Sequence, residues 1–364
     1  ETAVCTPKGL KENGRDFVGL ALLFYSVPVQ ALRIRYFPLM TSLSDSLTGP
    51  WRHRLIHVRG QRLHIAECGR PSDPLVLFIH GSTGGWFEWR EVLPMLNDDS
   101  GDPLPVHAVA ISMRGYGQSD RTPHGYDPFE AAQDIASSIR SLGHSTALLV
   151  CQGFGTWVAW TLASRQPNLV SGIIGCGAAH PKVWLNQLKS PWSEDFRSSL
   201  APLLRRSWWD SRPRVPQLRR NKFSTQAAEA RQQRLIDRIV RESMSTTGQG
   251  FAETPTGKQT AELMADSLAS GALRPALAHM NWWTRPAPVA FRKWLSAMEG
   301  SSKSDEHTVL LVGEQDTRTP RALVELSSSH VRVVPDCGHF LPAEKPQAVV
   351  QAIRDHLHWL PEGS

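Results

Sequence analysis

The sequence predicts an α/β architecture, a mostly parallel central sheet flanked by helices with an inserted helical cap. Two observations carry this. Short apolar runs alternate with helical patterns up to His180-Pro181 and again from residue 308, and strand alternating with helix means a parallel sheet covered on both faces. Between them, residues 182–300 are rich in Trp, Arg, Gln and Ala, with helix-like spacing, Pro breaks and no strand alternation. The expected organisation is an N-terminal extension over 1–50, open to a helical reading, a core built from 51–181 and 301–364, and a cap over 182–300.

The elements follow in order. Leu55-Ile56-His57-Val58 and Arg62-Leu63-His64-Ile65-Ala66 alternate around Arg59-Gly60-Gln61 as a hairpin does. Leu75–Ile79 is a continuous apolar run, the mark of a strand buried on both faces. Further strands are expected at Val106–Ser112, Ala147–Cys151, Val170–Cys176, Thr308–Val312 and Val331–Val334, with helices at Phe129–Leu142 and Thr156–Arg165. Asp98–Pro105 and Gly300–Glu306 read as short polar linkers.

Composition narrows the class. The chain has 364 residues, 41% hydrophobic and 20% charged, an ordinary globular balance. Its net charge of +6 is concentrated, because residues 197–241 hold twelve Arg or Lys against three Asp or Glu. That run fits a solvated helical surface or attraction to an anionic surface. No interleaving of aromatic and basic residues suggests a nucleic-acid module. Cys5, Cys68, Cys151, Cys176 and Cys337 are scattered, odd in number and without CxxC spacing, so neither a disulfide framework nor a zinc site is expected, and Cys151 and Cys176 read as buried small residues. No cofactor or metal is expected. The chain opens on Glu1, which suggests a processed or truncated start. Within residues 17–40 an apolar stretch from Phe17 is interrupted at Pro28 and followed by Arg33 and Arg35. It is short for a membrane span and is compatible with a leader, a packed helix or contact with a membrane surface. The compartment is read as cytoplasmic or membrane-associated.

The chemistry centres on Leu148 to Trp157, which reads as a buried strand, a sharp turn and the start of a helix. Cys151 and Gly155 are the small flanking residues of a nucleophile elbow, and the tip, where a nucleophile should stand, is Gly153. His80-Gly81-Ser82-Thr83-Gly84-Gly85 precedes it, as does Arg114-Gly115-Tyr116-Gly117-Gln118-Ser119-Asp120. Gly313-Glu314-Gln315-Asp316 and Asp336-Cys337-Gly338-His339-Phe340 follow. Glycines 84–85, 115–117 and 153–155 belong to these turns and not to a dinucleotide loop.

With these motifs in this order, the chain resembles the epoxide hydrolase and haloalkane dehalogenase branch of the α/β-hydrolase superfamily, over roughly residues 51–180 and 305–360. The resemblance implies the α/β-hydrolase fold. It implies an elbow Asp that forms an alkyl-enzyme ester, and a His–Asp pair that activates water to cleave it. His339 matches the base and Asp316 the acid, whereas the family's G-H-D-W-G-G has become C-Q-G-F-G-T with Gly153 at the nucleophile. Hydrogen cannot attack carbon. The resemblance also implies an oxyanion hole from the backbone N–H groups of Ser82 and Phe154, which survives side-chain change. Related enzymes use two cap tyrosines to activate the epoxide. Here Tyr25, Tyr36, Tyr116 and Tyr126 all lie outside 182–300. Trp283 takes a tyrosine position in Asn281-Trp282-Trp283-Thr284-Arg285, and Ser207-Trp208-Trp209 falls near the other. An indole donates a hydrogen bond but is no phenolic acid. Trp282, Trp283 and Trp209 either pack the cap or line an aromatic pocket.

Three functions remain open at this level. The first is a non-hydrolytic pseudoenzyme that binds a small apolar or aromatic molecule or a partner. The second is a hydrolase or lyase that uses His339 and Asp316 on water or substrate without a covalent step. The third is a membrane-surface protein that makes contact through residues 17–40.

Overall fold

The computed structural model describes residues 43–96, 104–183, 225–284 and 307–357, together with positions 186, 293, 294, 296 and 298. The stretch 17–40, Trp208, Trp209 and most of both expected linkers lie outside these residues. Of Trp282 and Trp283 only the helical backbone is described.

Eight strands form one sheet: β1 Arg52–Val58, β2 Gln61–Cys68, β3 Leu75–Ile79, β4 His107–Ile111, β5 Ala147–Gln152, β6 Val170–Cys176, β7 Thr308–Gly313 and β8 Val331–Val334. Their order is β1-β2-β4-β3-β5-β6-β7-β8. β1 and β2 pair antiparallel, as do β2 and β4, and all later pairs are parallel. The β1–β2 turn is tighter than the sequence suggested. Gln61 already pairs with Val58, leaving Arg59 and Gly60 as a two-residue loop with φ of 50° and 77°, positive at both positions as a type I′ turn requires.

The continuous apolar runs are buried on both faces because side chains alternate along a strand. Leu77, Ile79, Leu149 and Cys151 enter one core with Ile135 and Ile139 of α2 (Pro128–Ser141) and Val158 of α3 (Phe154–Arg165). Val76, Phe78, Leu148 and Val150 enter the other, with Leu93 and Leu96 of α1 (Val92–Leu96) and Val349 and Ile353 of a C-terminal helix, Pro346–Leu357. Helix α2 starts one residue earlier than expected. Asp127 caps it by accepting from the N–H groups of Phe129 and Glu130, and Pro128 fills the first position.

Between β6 and β7 the chain leaves the sheet. This excursion includes α4 Thr225–Met244, α5 Pro255–Ser267 and α6 Leu273–Thr284. Arg231, Arg234, Arg238 and Arg241 of α4 are exposed while Ile236 and Ile239 are buried, so this part of the basic run is the solvated face of an amphipathic helix. Among the described residues no helix is long and apolar enough to cross a membrane. After β7 come α7 Arg321–Glu325, α8 Leu341–Glu344 and α9, the Pro346–Leu357 helix.

Candidate active site

Gly153 is the whole turn between β5 and α3. Its φ of 49° and ψ of −113° lie where a side chain is strained, so hydrogen at this tip costs the fold nothing. The Gly153 N–H donates to the Cys176 carbonyl at 2.9 Å, and its own carbonyl accepts from Thr156 at 3.1 Å. Two residues on, α3 runs so close to β3 that a Cβ on Gly155 would stand 2.5 Å from the Ile79 carbonyl oxygen. The helix therefore starts at Phe154, ahead of the expected Thr156.

The loops after β7 and β8 bring Asp316 and His339 together. Nδ1 of His339 lies 2.9 Å from Oδ2 of Asp316, and both side chains are almost fully buried. Oδ1 of Asp316 accepts the N–H groups of Arg318 at 2.7 Å and Thr319 at 2.9 Å. A carboxylate so occupied only accepts, so Nδ1 carries the ring proton and Nε2 is turned outward. It faces the elbow: a Cβ on Gly153 would stand 3.8 Å from Nε2.

The seat of this imidazole comes from three segments. The His339 N–H donates to the Thr246 carbonyl at 2.8 Å, and Nε2 of Gln152 donates to the His339 carbonyl at 2.8 Å. Glu344 accepts from the N–H groups of Gly338 and Gly248, each at 2.7 Å, and from that of Phe340 at 2.9 Å. The Gln249 N–H donates to the Gln315 side chain at 2.7 Å. The segment after α4 is thereby tied to both loops that carry the pair.

The turn after β3 is fixed by buried polar groups. His80 Nδ1 donates to the Gly81 carbonyl at 2.7 Å while Nε2 accepts from Met113 N–H at 3.0 Å. Burial holds this ring neutral, with its pKa pushed down to about 4. Glu88, on the short helix Trp86–Trp89, accepts from Gly81 N–H at 2.8 Å. Burial pushes its pKa up to about 8, against the opposing Gly81 hydrogen bond and the charges of Arg318 and Arg90. Gly84 makes room for it, since a Cβ there would stand 1.9 Å from Glu88 Oε1.

Ser82 contributes its backbone to a second network. The Tyr116 hydroxyl donates to the Ser82 carbonyl at 2.7 Å and lies 3.1 Å from Nδ1 of His279 on α6. The phenol has one proton and gives it to the carbonyl, so His279 donates from Nδ1. Burial pushes the His279 pKa down to about 3 and raises that of Tyr116 well above its ordinary value. The His279 ring stacks on Phe154 at 4.1 Å between centroids. As the first residue of α3, Phe154 has an N–H without an intrahelical acceptor.

The structure thus brings Gly153, His339 and Asp316 to one place and joins Ser82 to Phe154 through Tyr116 and His279. Trp282 and Trp283 fall on α6, with their side chains undescribed, and Trp209 lies outside the described residues. Sequence reasoning missed Glu88, His279, Tyr116 and Glu344. The only signal for the first was a carboxylate in an aromatic run, Trp86-Phe87-Glu88-Trp89.

A mostly parallel eight-stranded sheet, a sharp strand–helix elbow and a His–Asp pair carried on the last two strand loops define the α/β-hydrolase class. The chain belongs to the alpha/beta hydrolase family, whose model matches residues 76–352. It is 28% identical over 325 residues to epoxide hydrolase 3 of Xenopus tropicalis, covering 86% of this chain and 80% of that protein. It is 34% identical over 151 residues to epoxide hydrolase 1 of Caenorhabditis elegans, a match spanning 41% of this chain and 36% of the worm protein. Among solved structures, the haloalkane dehalogenase DbeA-M1 loop variant from Bradyrhizobium elkanii shares the fold with a TM-score of 0.64 at 22% identity, covering 85% of this chain and 97% of that one. The epoxide-hydrolase-like character expected from the motifs is therefore shown at the level of fold and family.

Proposed function

We propose that this chain is a non-hydrolytic member of its family that binds a small apolar or aromatic molecule, with the excursion between β6 and β7 serving as a cap. One observation carries the reading: the elbow tip is Gly153, and among the described residues a side chain there would meet the Nε2 of His339, 3.8 Å from the Cβ position. An alkyl-enzyme ester needs an oxygen, sulfur or nitrogen nucleophile there. The relatives named epoxide hydrolases support an epoxide-hydrolase-like ancestry, and the missing side chain at Gly153 argues against an ester intermediate in this chain.

A second reading is favoured by the His339–Asp316 bond at 2.9 Å. An imidazole held in this tautomer is a workable general base toward water or a substrate hydroxyl. The N–H groups of Ser82 and Phe154 would then hold the developing oxyanion. The two readings part on turnover. Purified protein given styrene oxide and 1-bromohexane is expected to show no hydrolysis above that of a His339→Ala variant. Robust turnover that this substitution abolishes would overturn the first reading in favour of the second.

A further inference from the structure

We propose that Glu88 is a positioning residue for His339 and acts through Gln152: its carboxyl donates toward Oε1 of Gln152 and so holds the amide whose Nε2 carries the His339 carbonyl. The inference concerns how the imidazole is seated, and it stands whether or not the site turns over a substrate.

Three observations converge. First, Glu88 and Gln152 are 3% and 1% exposed, and Oε1 of each is buried without a hydrogen-bond partner among the described residues. Second, the two side chains flank one glycine. The Cβ position of Gly81 lies 3.5 Å from Glu88 Oε1 and 3.5 Å from Gln152 Cγ. Third, the other polar atom of each is already committed. Oε2 of Glu88 accepts from the Gly81 N–H at 2.8 Å, and Nε2 of Gln152 donates to the His339 carbonyl at 2.8 Å. Only an N–H can meet that carbonyl, so the Gln152 amide cannot be turned over to present a donor to Glu88.

Two neighbouring buried oxygens that could only accept would both stay unsatisfied, which is costly. One proton resolves it. A neutral carboxyl accepts through Oε2 and donates through Oε1 to the Gln152 oxygen, directly or across one water. The surroundings keep that proton in place. Burial pushes the Glu88 pKa up to about 8, opposed by Arg318 of the loop after β7 and by Arg90. The Arg90 guanidinium is turned to other acceptors, among them the Phe87 carbonyl, Oγ1 of Thr260 and the Glu91 carboxylate. Tyr116 of the loop after β4 and Cys176 of β6 also feel Glu88, and burial raises both their pKa values, so both are neutral. His80, beside Gly81, is held neutral as well. Once Glu88 ionises, its carboxylate can only accept, and the link to Gln152 is lost.

The full chain, with labelled histidine rings, is titrated through about pH 8 in NMR spectra, and His339→Gln assigns the His339 signal. The wild-type His339 signal is expected to shift in a step at about pH 8. Glu88→Gln, whose amide accepts from Gly81 and donates to Gln152 as the neutral acid does, is expected to show the low-pH form throughout. Glu88→Met is expected to show the high-pH form throughout. Gln152→Met keeps the titrating carboxyl but cuts the route, and is expected to abolish the step at His339. A wild-type signal without the step overturns the proposal. So does a step that persists in Glu88→Gln or Gln152→Met, or a Glu88→Met signal identical with the wild type at neutral pH. Should either methionine variant not fold, the wild type and Glu88→Gln carry the test. Styrene oxide turnover tests the preceding reading separately, and its outcome leaves this one untouched.

Discussion

Gly177 lies against the imidazole of His339, where a Cβ would stand 2.9 Å from Nδ1 and 3.1 Å from the His339 carbonyl oxygen. Its φ of 58° also excludes most side chains. The residue after β6 therefore fixes how far the ring can retreat from Gly153. Gly177→Ala should destabilise the protein by about 1–3 kcal/mol, from strain and overpacking together. It should also displace His339 from Asp316. Urea denaturation reads the first effect, and loss of the low-field Nδ1 proton resonance reads the second.

Glu344 holds the histidine loop by three backbone N–H groups, those of Gly338, Phe340 and Gly248. Glu344→Gln keeps one acceptor and sets an NH2 group against the remaining donors. The expected loss is about 1–3 kcal/mol. The same variant should broaden the His339 ring signals in NMR spectra, and unchanged signals would show that the loop is held by other contacts.

Glu88 and the buried histidines set opposite pH limbs. The folded-state pKa of Glu88 is about 8, above its ordinary 4.5. Between those values the unfolded chain has released a proton that the folded chain keeps, so stability falls as pH rises and the loss is complete above about 8. His64 and His279 sit at about 3, and His80 and His180 at about 4, all below their ordinary 6.5. On acidification below 6.5 the unfolded chain takes up protons that the folded chain refuses, so stability falls again. The expected optimum is near pH 6.5. Glu88→Gln should flatten the limb between about 6.5 and 8 and leave the acid limb in place, as read from melting temperatures across pH.

Gly153→Asp returns a carboxylate to the elbow beside His339 Nε2. With a reactive epoxide such as styrene oxide, the expected outcome is a protein mass increased by one substrate molecule. An unmodified mass in a folded variant would mean that the elbow no longer presents its tip to substrate.

The sheet was legible because its signal is local. Leu75–Ile79, a continuous apolar run, and the short β-branched stretches Val170–Cys176 and Val331–Val334 have the same bounds in the sequence reading and in the structure. The pairing partners of the buried polar groups were not legible, because they are distant in sequence or depend on a vacancy. Glu88 looks like a surface charge until Gly84 is seen to leave it space. His279 meets Tyr116 and Phe154 from an excursion whose helical pattern says nothing of where it docks. Glu344 is one more acid at a helix end until its two oxygens are found on the backbone around His339. The aromatic residues singled out in the sequence, Trp282 and Trp283, were chosen by resemblance. The ring that the structure stacks on Phe154 is His279, a few residues earlier on the same helix.

The bonds from Thr246, Gly248 and Gln249 to His339, Glu344 and Gln315 have a consequence for dissecting this molecule. The polypeptide looped out after β6 is part of the anchorage of the imidazole. Excising it to obtain a minimal scaffold would unmoor that ring, so a trimmed version would report on a loosened histidine and not on the native one.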